Sequence, residues 1–164
     1  MRGKWAAGIS PRNFCWVIKD RIAISERPGG YSRNHRKIRR QEEIIWLREQ
    51  GFTRIVSLLP SVHNLHAYDE LGMAWSHFPF APIDDARVVL KDLYAHFAEW
   101  EAAQEKILVH QEEMGDRLMG TVGGYLMATH RLDSGPQAVS IVERLTGRQM
   151  GPVGRELINL AVEL

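Results

Sequence analysis

Residues 107–127 read ILVHQEEMGDRLMGTVGGYLM, an apolar run followed by a polar loop and a second apolar segment. Lys106 and the first four residues of this stretch form a short run of the kind found in buried parallel strands. After the loop, Leu118, Val122 and Leu126 recur every four residues, as side chains do on one face of a helix. The stretch therefore predicts a strand over 106–110, a loop, and a helix over 117–131.

The alternation of strand and helix continues on both sides of this stretch. Residues 14–25 are typical of a hairpin, and the other segments are a helix over 35–50, strands over 54–59 and 74–80, and helices over 86–104, 136–146 and 152–163. This order favours an α/β fold whose central, mostly parallel, twisted sheet of four to five strands is covered by helices on both faces. Ligands of such sheets bind beyond the carboxyl ends of the strands, where the loop after residue 110 lies.

The composition is that of an ordinary globular protein, with 164 residues, 45% hydrophobic, 25% charged and a formal net charge of +1. We expect one domain over 14–164, preceded by a loosely held N-terminus over 1–13. The single cysteine, Cys15, excludes an internal disulfide and a cysteine-rich zinc site, which favours a reducing cytoplasm. No segment approaches the roughly 18 uncharged residues of a membrane span, and the near-neutral charge argues against a nucleic-acid binder.

The spacing of Val109, His110, Arg117 and the segment Tyr125-Leu-Met127 matches a family signature. The chain resembles the cysteine-dependent protein tyrosine and dual-specificity phosphatases. In that family a buried strand ends in Val-His-Cys, five loop residues precede an arginine and a serine or threonine, and the next helix contains Tyr-Leu-Met.

The resemblance extends over about residues 14–160. Three further segments are similar to the family's entry hairpin, its central strand and the strand before its general-acid loop, namely 16–29, 51–59 and 77–80. The resemblance implies a three-layer phosphatase fold in a protein of bacterial type, with a phosphate-binding loop between strand 106–110 and helix 117–131.

The family's chemistry needs a nucleophile that this chain lacks. In the family a cysteine thiolate attacks phosphorus, an arginine holds the phosphoryl oxygens, and an aspartic acid protonates the leaving oxygen. Here Gln111 occupies the nucleophile position, Met114 the position of a loop glycine, and Leu118 that of the serine or threonine. Gly115 is expected to restore part of the lost backbone freedom. The resemblance thus implies a pseudophosphatase without catalytic residues or cofactor.

The expected site is the loop itself. The resemblance assigns phosphate binding to Gln111, Glu112, Glu113, Met114, Gly115, Asp116 and Arg117. It also gives His110 a supporting role in orienting the loop. Asp84 or Asp85 occupies the general-acid region as a relic, or else caps the helix that begins near Ala86.

The acidic loop residues leave three interpretations open. Loop amides and Arg117 favour binding of a phosphorylated small molecule or protein. Alternatively, Arg117 pairs with Glu112 or Asp116, and the protein is a pure interaction scaffold. A third interpretation is a cysteine-independent hydrolase, whose acid/base or metal site is built from His110, Glu112, Glu113, Asp116 and Asp84.

Two further features invite interpretation. The basic side chains of residues 33–40 either dock an acidic partner or form a solvated helix start; they are Arg33, Arg36, Lys37, Arg39 and Arg40.

Three glycines interrupt the helix predicted over 117–131, where each costs about 1 kcal/mol relative to alanine. We expect close packing of that helix against the sheet to compensate for Gly120, Gly123 and Gly124.

Overall fold

A computed structural model describes residues 8–29, 37–62, 65–80 and 85–164. Within these residues the chain forms one five-stranded sheet with the order β1-β2-β5-β3-β4. The strands are β1 (Cys15–Ile18), β2 (Ile22–Glu26), β3 (Arg54–Ser57), β4 (Ala74–His77) and β5 (Ile107–Gln111). Strand β1 is antiparallel to β2, and all other pairs are parallel. The predicted α/β fold with a mostly parallel sheet is confirmed.

The helices in the described residues are α1 (Lys37–Glu49), α2 (His66–Glu70), α3 (Ala86–Ala102), α4 (Asp116–Ala128), α5 (Gly135–Thr146) and α6 (Pro152–Val162). Helix α4 ends three residues before its predicted end, because His130 adopts a left-handed conformation with φ of 59°. Helix α3 likewise ends before Gln104, whose φ is 60°. Local backbone conformation therefore sets boundaries that apolar periodicity alone did not predict.

Two apolar clusters, one on each face of the sheet, produce the three layers. Val56 and Val109 face the cluster built from α3, α4, α5 and α6, whereas Ile55 and Leu108 face the cluster built from α1 and α2. This alternation follows from the pleat of a strand, which directs successive side chains to opposite faces. Both faces are buried, so the strands consist mainly of apolar residues.

The glycines of α4 pack against helices, which corrects the predicted helix-to-sheet contact. A Cβ added to Gly120 would lie 2.7 Å from the backbone of Gly154 in α6. At Gly124 it would lie 2.8 Å from Ala161 of the same helix, and at Gly123 2.9 Å from Ile158. The close approach of α4 to α6 therefore requires small residues on this face of α4.

Residues 8–13 belong to the segment predicted as a loosely held N-terminus. In the structure, the backbone N–H of Ile9 donates to the carbonyl of Glu42 at 3.1 Å, and Pro11 is buried. Glu26 N–H donates to the carbonyl of Arg12 at 3.0 Å. These contacts connect the segment to α1 and β2.

Among the described helices, none combines the length and apolar character needed to cross a bilayer.

Candidate functional site

The candidate site lies where β5 leaves the carboxyl edge of the sheet and turns into α4. Strand β5 is paired with β2 on one side and β3 on the other, so its end is central in that edge. The loop forms a depression of about 310 Å³, lined by residues 111–113, residues 115–118 and Val153 of α6. The position agrees with the rule that parallel sheets bind ligands beyond the carboxyl ends of their strands.

Gln111, at the predicted nucleophile position, is the last residue of β5 and is held by neighbouring strands. Its side-chain Nε2 donates to the carbonyl of Leu58 at 3.1 Å, and its Oε1 accepts from the Glu112 N–H at 3.4 Å. Its backbone carbonyl accepts from the N–H of Arg27 at 2.9 Å. Gln111 thus connects the loop to the end of β3 through its side-chain amide and to the end of β2 through its backbone carbonyl. The side-chain amide is not an ionisable nucleophile.

His110 lies directly beneath the loop and is fully buried between Ser25 of β2 and Ser57 of β3. Its Nε2 lies 3.3 Å from the hydroxyl of Tyr68, whereas its Nδ1 has no hydrogen-bond partner within the described part of the chain. Burial, reinforced by the positive charge of Arg27, lowers the pKa of His110 to about 3. The imidazole is therefore neutral at physiological pH.

Arg117 is half-buried in the first turn of α4, and its guanidinium lies toward the end of β4. Nη1 donates to the carbonyl of Phe80 at 2.8 Å, and the guanidinium carbon lies 5.9 Å from the centre of the Phe80 ring. Among the described residues, no ion pair connects Arg117 to Glu112 or Asp116. The alternative in which Arg117 pairs with those carboxylates does not describe this structure.

The two carboxylates next to the arginine have other partners. Asp116 accepts hydrogen bonds from the N–H groups of Gly151 at 2.9 Å and Gly154 at 3.1 Å, and so caps the N-terminus of α6. Glu112 forms an ion pair with Arg27, with 3.2 Å between Oε1 and Nη1. Asp116 therefore lines the depression and also stabilises the fold, since both its carboxylate oxygens accept hydrogen bonds from the start of α6.

The remaining loop positions show how the altered sequence is accommodated. Met114 and Leu118 are both buried in the core cluster beneath the loop. Gly115 is the N-cap of α4, with φ of −146° and ψ of −167°, which is extended backbone that any residue adopts. The expectation that Gly115 restores glycine-specific freedom is therefore wrong. Glu113 is exposed.

The cysteine-independent alternative required the loop carboxylates and His110 to converge. Instead, the structure distributes them: His110 is buried against Tyr68, Glu112 pairs with Arg27, and Asp116 caps α6. In the described ranges, no group of three or more histidine, cysteine, aspartate or glutamate side chains is arranged to hold a metal ion. Asp84 lies outside the described residues.

The general-acid region is represented by Asp85. Its backbone is extended, and its Oδ1 accepts from the N–H of Arg87 at 3.0 Å, which makes it the N-cap of α3. The structure therefore gives Asp85 the capping role that the sequence left open as one of two interpretations.

The basic segment is only partly described, because Arg33 and Arg36 lie outside the described residues. Lys37 is exposed at the start of α1, whereas Arg39 and Arg40 are half-buried. Arg39 donates through Nε to Glu43 at 3.3 Å, in an ion pair within α1. The described part thus presents one fully exposed cation.

Sequence reasoning missed Arg27, the second arginine at this edge. It follows β2 directly, its side chain is 11% exposed, and it contacts the loop through both its backbone N–H and its guanidinium. A signal was available, because a residue that follows a parallel strand lies at the same edge as the loop after β5. Tyr68, on the short helix α2, carried no comparable signal.

Arg117 and the start of α4 together place hydrogen-bond donors at the loop. The first turn of α4 has no side-chain cap, so its amides and the positive end of the helix dipole are directed at the loop. Arg117 adds a full charge, and one of its five N–H donors is used by Phe80. Such an arrangement can bind an oxyanion, and Gln111 itself offers no nucleophile for attack on phosphorus.

Comparison with known families and with curated proteins finds no match to this sequence. Solved structures do match. The kinase associated phosphatase with its catalytic cysteine changed to serine superposes with a TM-score of 0.76 at 16% identity, covering 94% of this chain and 99% of that one.

Two further structures give the same result. Tk-PTP in its active form has a TM-score of 0.73 at 18% identity, covering 92% of this chain and 97% of that one. Human DUSP28 has a TM-score of 0.70 at 18% identity, covering 94% and 97%. The chain therefore has the fold of the dual-specificity and protein tyrosine phosphatases, as the sequence predicted.

Proposed function

We propose that this protein is a phosphatase-fold pseudophosphatase that binds a phosphorylated ligand at the loop of residues 110–117. The observation that carries the proposal is the pairing of two features at one loop. The amide of Gln111 stands at the end of β5, hydrogen-bonded to Leu58, where a nucleophile would have to be. The uncapped start of α4 and Arg117 remain beside it as an anion-binding arrangement.

The single cysteine of the chain, Cys15, does not take the place of a nucleophilic thiol at position 111. Cys15 lies in the edge strand β1, two strands from β5, and is half-buried against the core. Burial raises the pKa of its thiol to about 11, so the thiolate is scarce at neutral pH. The chain therefore retains no activated thiol that could replace the one absent from position 111.

The acidic residues of the loop oppose anion binding less than their number suggests. Asp116 is directed at the amides of α6, and the charge of Glu112 is offset by Arg27. Glu113 is exposed, where water screens its charge. The field at the loop is thus set mainly by Arg117 and the start of α4.

Apolar side chains around the loop favour a phosphorylated protein segment over a small free phosphate. Ile38, Val62, Val88 and Val153 are each more than half exposed. Three of them lie in the loop or the first helical turn that follows a parallel strand, and Val153 lines the depression itself. Exposed apolar side chains at one edge are typical of an interaction site.

Calorimetric titration with a phosphoserine peptide and its unphosphorylated counterpart tests the proposal. We expect binding only of the phosphorylated peptide, and a loss of about 10- to 100-fold in affinity for Arg117→Ala, since a charge-assisted hydrogen bond contributes roughly 1.5–3 kcal/mol. The control is Arg21→Ala, which removes a positive charge before β2, at the opposite edge of the sheet.

Turnover of an aryl phosphate separates the competing functions. Robust turnover that survives a thiol-blocking reagent and is lost with a chelator would instead identify a cysteine-independent hydrolase. Equal affinity for the phosphorylated and unphosphorylated peptides would identify a protein scaffold that does not recognise phosphate.

A further inference from the structure

Arg27 is a cation built into the same edge of the sheet. It follows β2 directly, and its backbone N–H donates to the carbonyl of Gln111 at 2.9 Å, which fixes its position relative to the loop. Its side chain is 11% exposed, and its charge influences both buried His110 and buried Tyr68. A guanidinium so nearly buried requires anionic partners to offset its desolvation.

One of these partners is supplied by the loop. Oε1 of Glu112 lies 3.2 Å from Nη1 of Arg27, and the Glu112 side chain is 43% exposed. The pair therefore joins a nearly buried cation to a carboxylate that remains in contact with water. The glutamate can exchange this partner for solvent at far smaller cost than the arginine can, because its charge is already half hydrated.

Arg27 and Arg117 approach the loop from opposite sides. Arg27 lies beyond the end of β2, whereas Arg117 reaches Phe80 beyond the end of β4, and β5 lies between these strands in the sheet. A ligand with a single phosphate, held by Arg117 and the start of α4, leaves the ion pair between Arg27 and Glu112 intact. A ligand with a second anionic group can replace the Glu112 carboxylate as the partner of Arg27.

We infer that Arg27 is a second anion-binding residue of this site, that Glu112 occupies it in the absence of ligand, and that the site selects phosphorylated segments with an adjacent acidic group. The inference rests on the proposed function and deepens it. On binding, the second anion of the ligand displaces the Glu112 carboxylate from Arg27, and Glu112 turns into solvent. Arg27 then forms a charge-assisted pair with the ligand.

The test uses two phosphoserine peptides, one with alanine and one with glutamate beside the phosphoserine. We expect the wild-type protein to prefer the glutamate peptide about tenfold, since an added charge-assisted pair contributes on the order of 1.4 kcal/mol. Arg27→Gln leaves the charge of Glu112 uncompensated and should weaken binding of both peptides, so the readout is the ratio of the two affinities, which should fall to about one. Arg27→Lys, which retains the charge, should keep part of the preference and serves as the variant if Arg27→Gln does not fold.

Glu112→Gln tests the competition directly, because it removes only a half-exposed carboxylate. We expect it to tighten binding of the glutamate peptide about fivefold, provided that Arg27 is present. In the Arg27→Gln background the same change removes an unpaired carboxylate, so it should affect the two peptides alike and leave the ratio of their affinities unchanged. Glu156→Gln is the matched control, since Glu156 is an exposed acid on α6, one turn beyond Val153.

The two proposals fail in different ways. Equal gains for Glu112→Gln and Glu156→Gln, or a preference for the glutamate peptide that persists in Arg27→Gln, would overturn the role of Arg27 while leaving phosphate binding by Arg117 intact. Absence of any phosphate-dependent binding by the wild-type protein would overturn both.

Discussion

At the scale of single residues, Gln111 and His110 determine what the loop can do. Gln111 replaces an ionisable group with an amide that bonds to Leu58 and to the N–H of Glu112. His110 lies beneath it, fully buried and neutral, with Tyr68 as its neighbour. The Gln111 amide is not a nucleophile, and the His110 imidazole is buried beneath the loop. Both side chains form contacts at the end of β5, directly before the loop that leads to Arg117 and α4.

A thiol placed at position 111 should not by itself give the activity of an active phosphatase of this fold. We expect Gln111→Cys to hydrolyse an aryl phosphate at least about 100-fold more slowly than an active phosphatase of this fold, since one missing preorganised donor typically costs about 10²- to 10³-fold. Met114 and Leu118 stay buried in the core of the variant. Because residue 118 is leucine, no hydroxyl follows Arg117. The measurement is steady-state turnover, and rates equal to those of an active relative would show that these two positions matter little.

The buried histidine should make the protein sensitive to acid. The pKa of His110 is about 3 in the folded protein, against 6.5 for an unperturbed histidine, so the unfolded chain binds the proton more readily between these values. Stability is therefore fully present above about pH 6.5 and falls as the pH falls. Between pH 7 and pH 5 this residue alone should cost about 2 kcal/mol.

Urea unfolding at both pH values measures this effect. His110→Gln should show a smaller loss between pH 7 and pH 5 than the wild-type protein, whatever its absolute stability. The same substitution at His130, which is exposed, is the control. Identical pH dependence in the wild-type protein and His110→Gln would contradict the prediction.

At the scale of elements, α4 connects the site to the rest of the fold. Its first turn faces the loop, Asp116 in that turn caps α6, and its glycine face packs on the same helix. The position of the loop is thus coupled to the packing of α4 on α6. Substitutions at this helix pair should alter the site even though they touch no ligand.

A methyl group between the two helices tests this packing. The Cβ of Gly120→Ala would lie 2.7 Å from the backbone of Gly154. Backbone atoms in a helix cannot move aside as the end of a flexible side chain can. We expect a loss of about 1–3 kcal/mol in the free energy of unfolding, which lowers Tm by roughly 2–4 °C per kcal/mol in a protein of this size. Calorimetry measures the change.

Gly135→Ala is the matched control for that experiment. The nearest atom to its Cβ would be 3.6 Å away, an ordinary contact, so its stability should stay close to that of the wild-type protein. Equal losses for Gly120→Ala and Gly135→Ala would show that the α4–α6 contact is not as tight as the structure indicates.

At the scale of the whole molecule, the strand order makes β5 the centre of the fold. It is paired on both sides and buried on both faces, whereas β1 is an edge strand paired only with β2. The order also brings the residues that follow β2, β3, β4 and β5 to one edge. Arg27 and Arg117 meet the loop for this reason, although 90 positions separate them in the sequence.

Hydrogen exchange should reflect this arrangement. We expect the amides of residues 107–110 to exchange only through global unfolding. Those of residues 15–18 should exchange at least about tenfold faster, through local opening of the edge strand, whose free energy is about 1.4 kcal/mol lower than that of global unfolding. Mass spectrometry of peptic fragments measures both segments. Equal protection in the two segments would contradict the central role of β5.

Much of this architecture was predictable because it depends on local patterns. The apolar run before His110 indicated a buried strand, the recurrence of Leu118, Val122 and Leu126 indicated α4, and their alternation with other elements indicated a parallel sheet. The amide at position 111 was also evident from the sequence, since it depends on one residue type at one position of a spaced signature.

The partners of the charged residues were not predictable, because each is a contact between segments far apart in the chain. Asp116 was expected in the loop, and the structure shows that it also caps α6, whose start is brought to it by the packing of α4. One interpretation paired Arg117 with Glu112 or Asp116, whereas Glu112 forms its ion pair with Arg27. Patterns along the chain thus determine the strands, the helices and which residue type stands at each position of the loop. Strand order and helix packing decide which charges meet, since electrostatic interactions depend on distance in space.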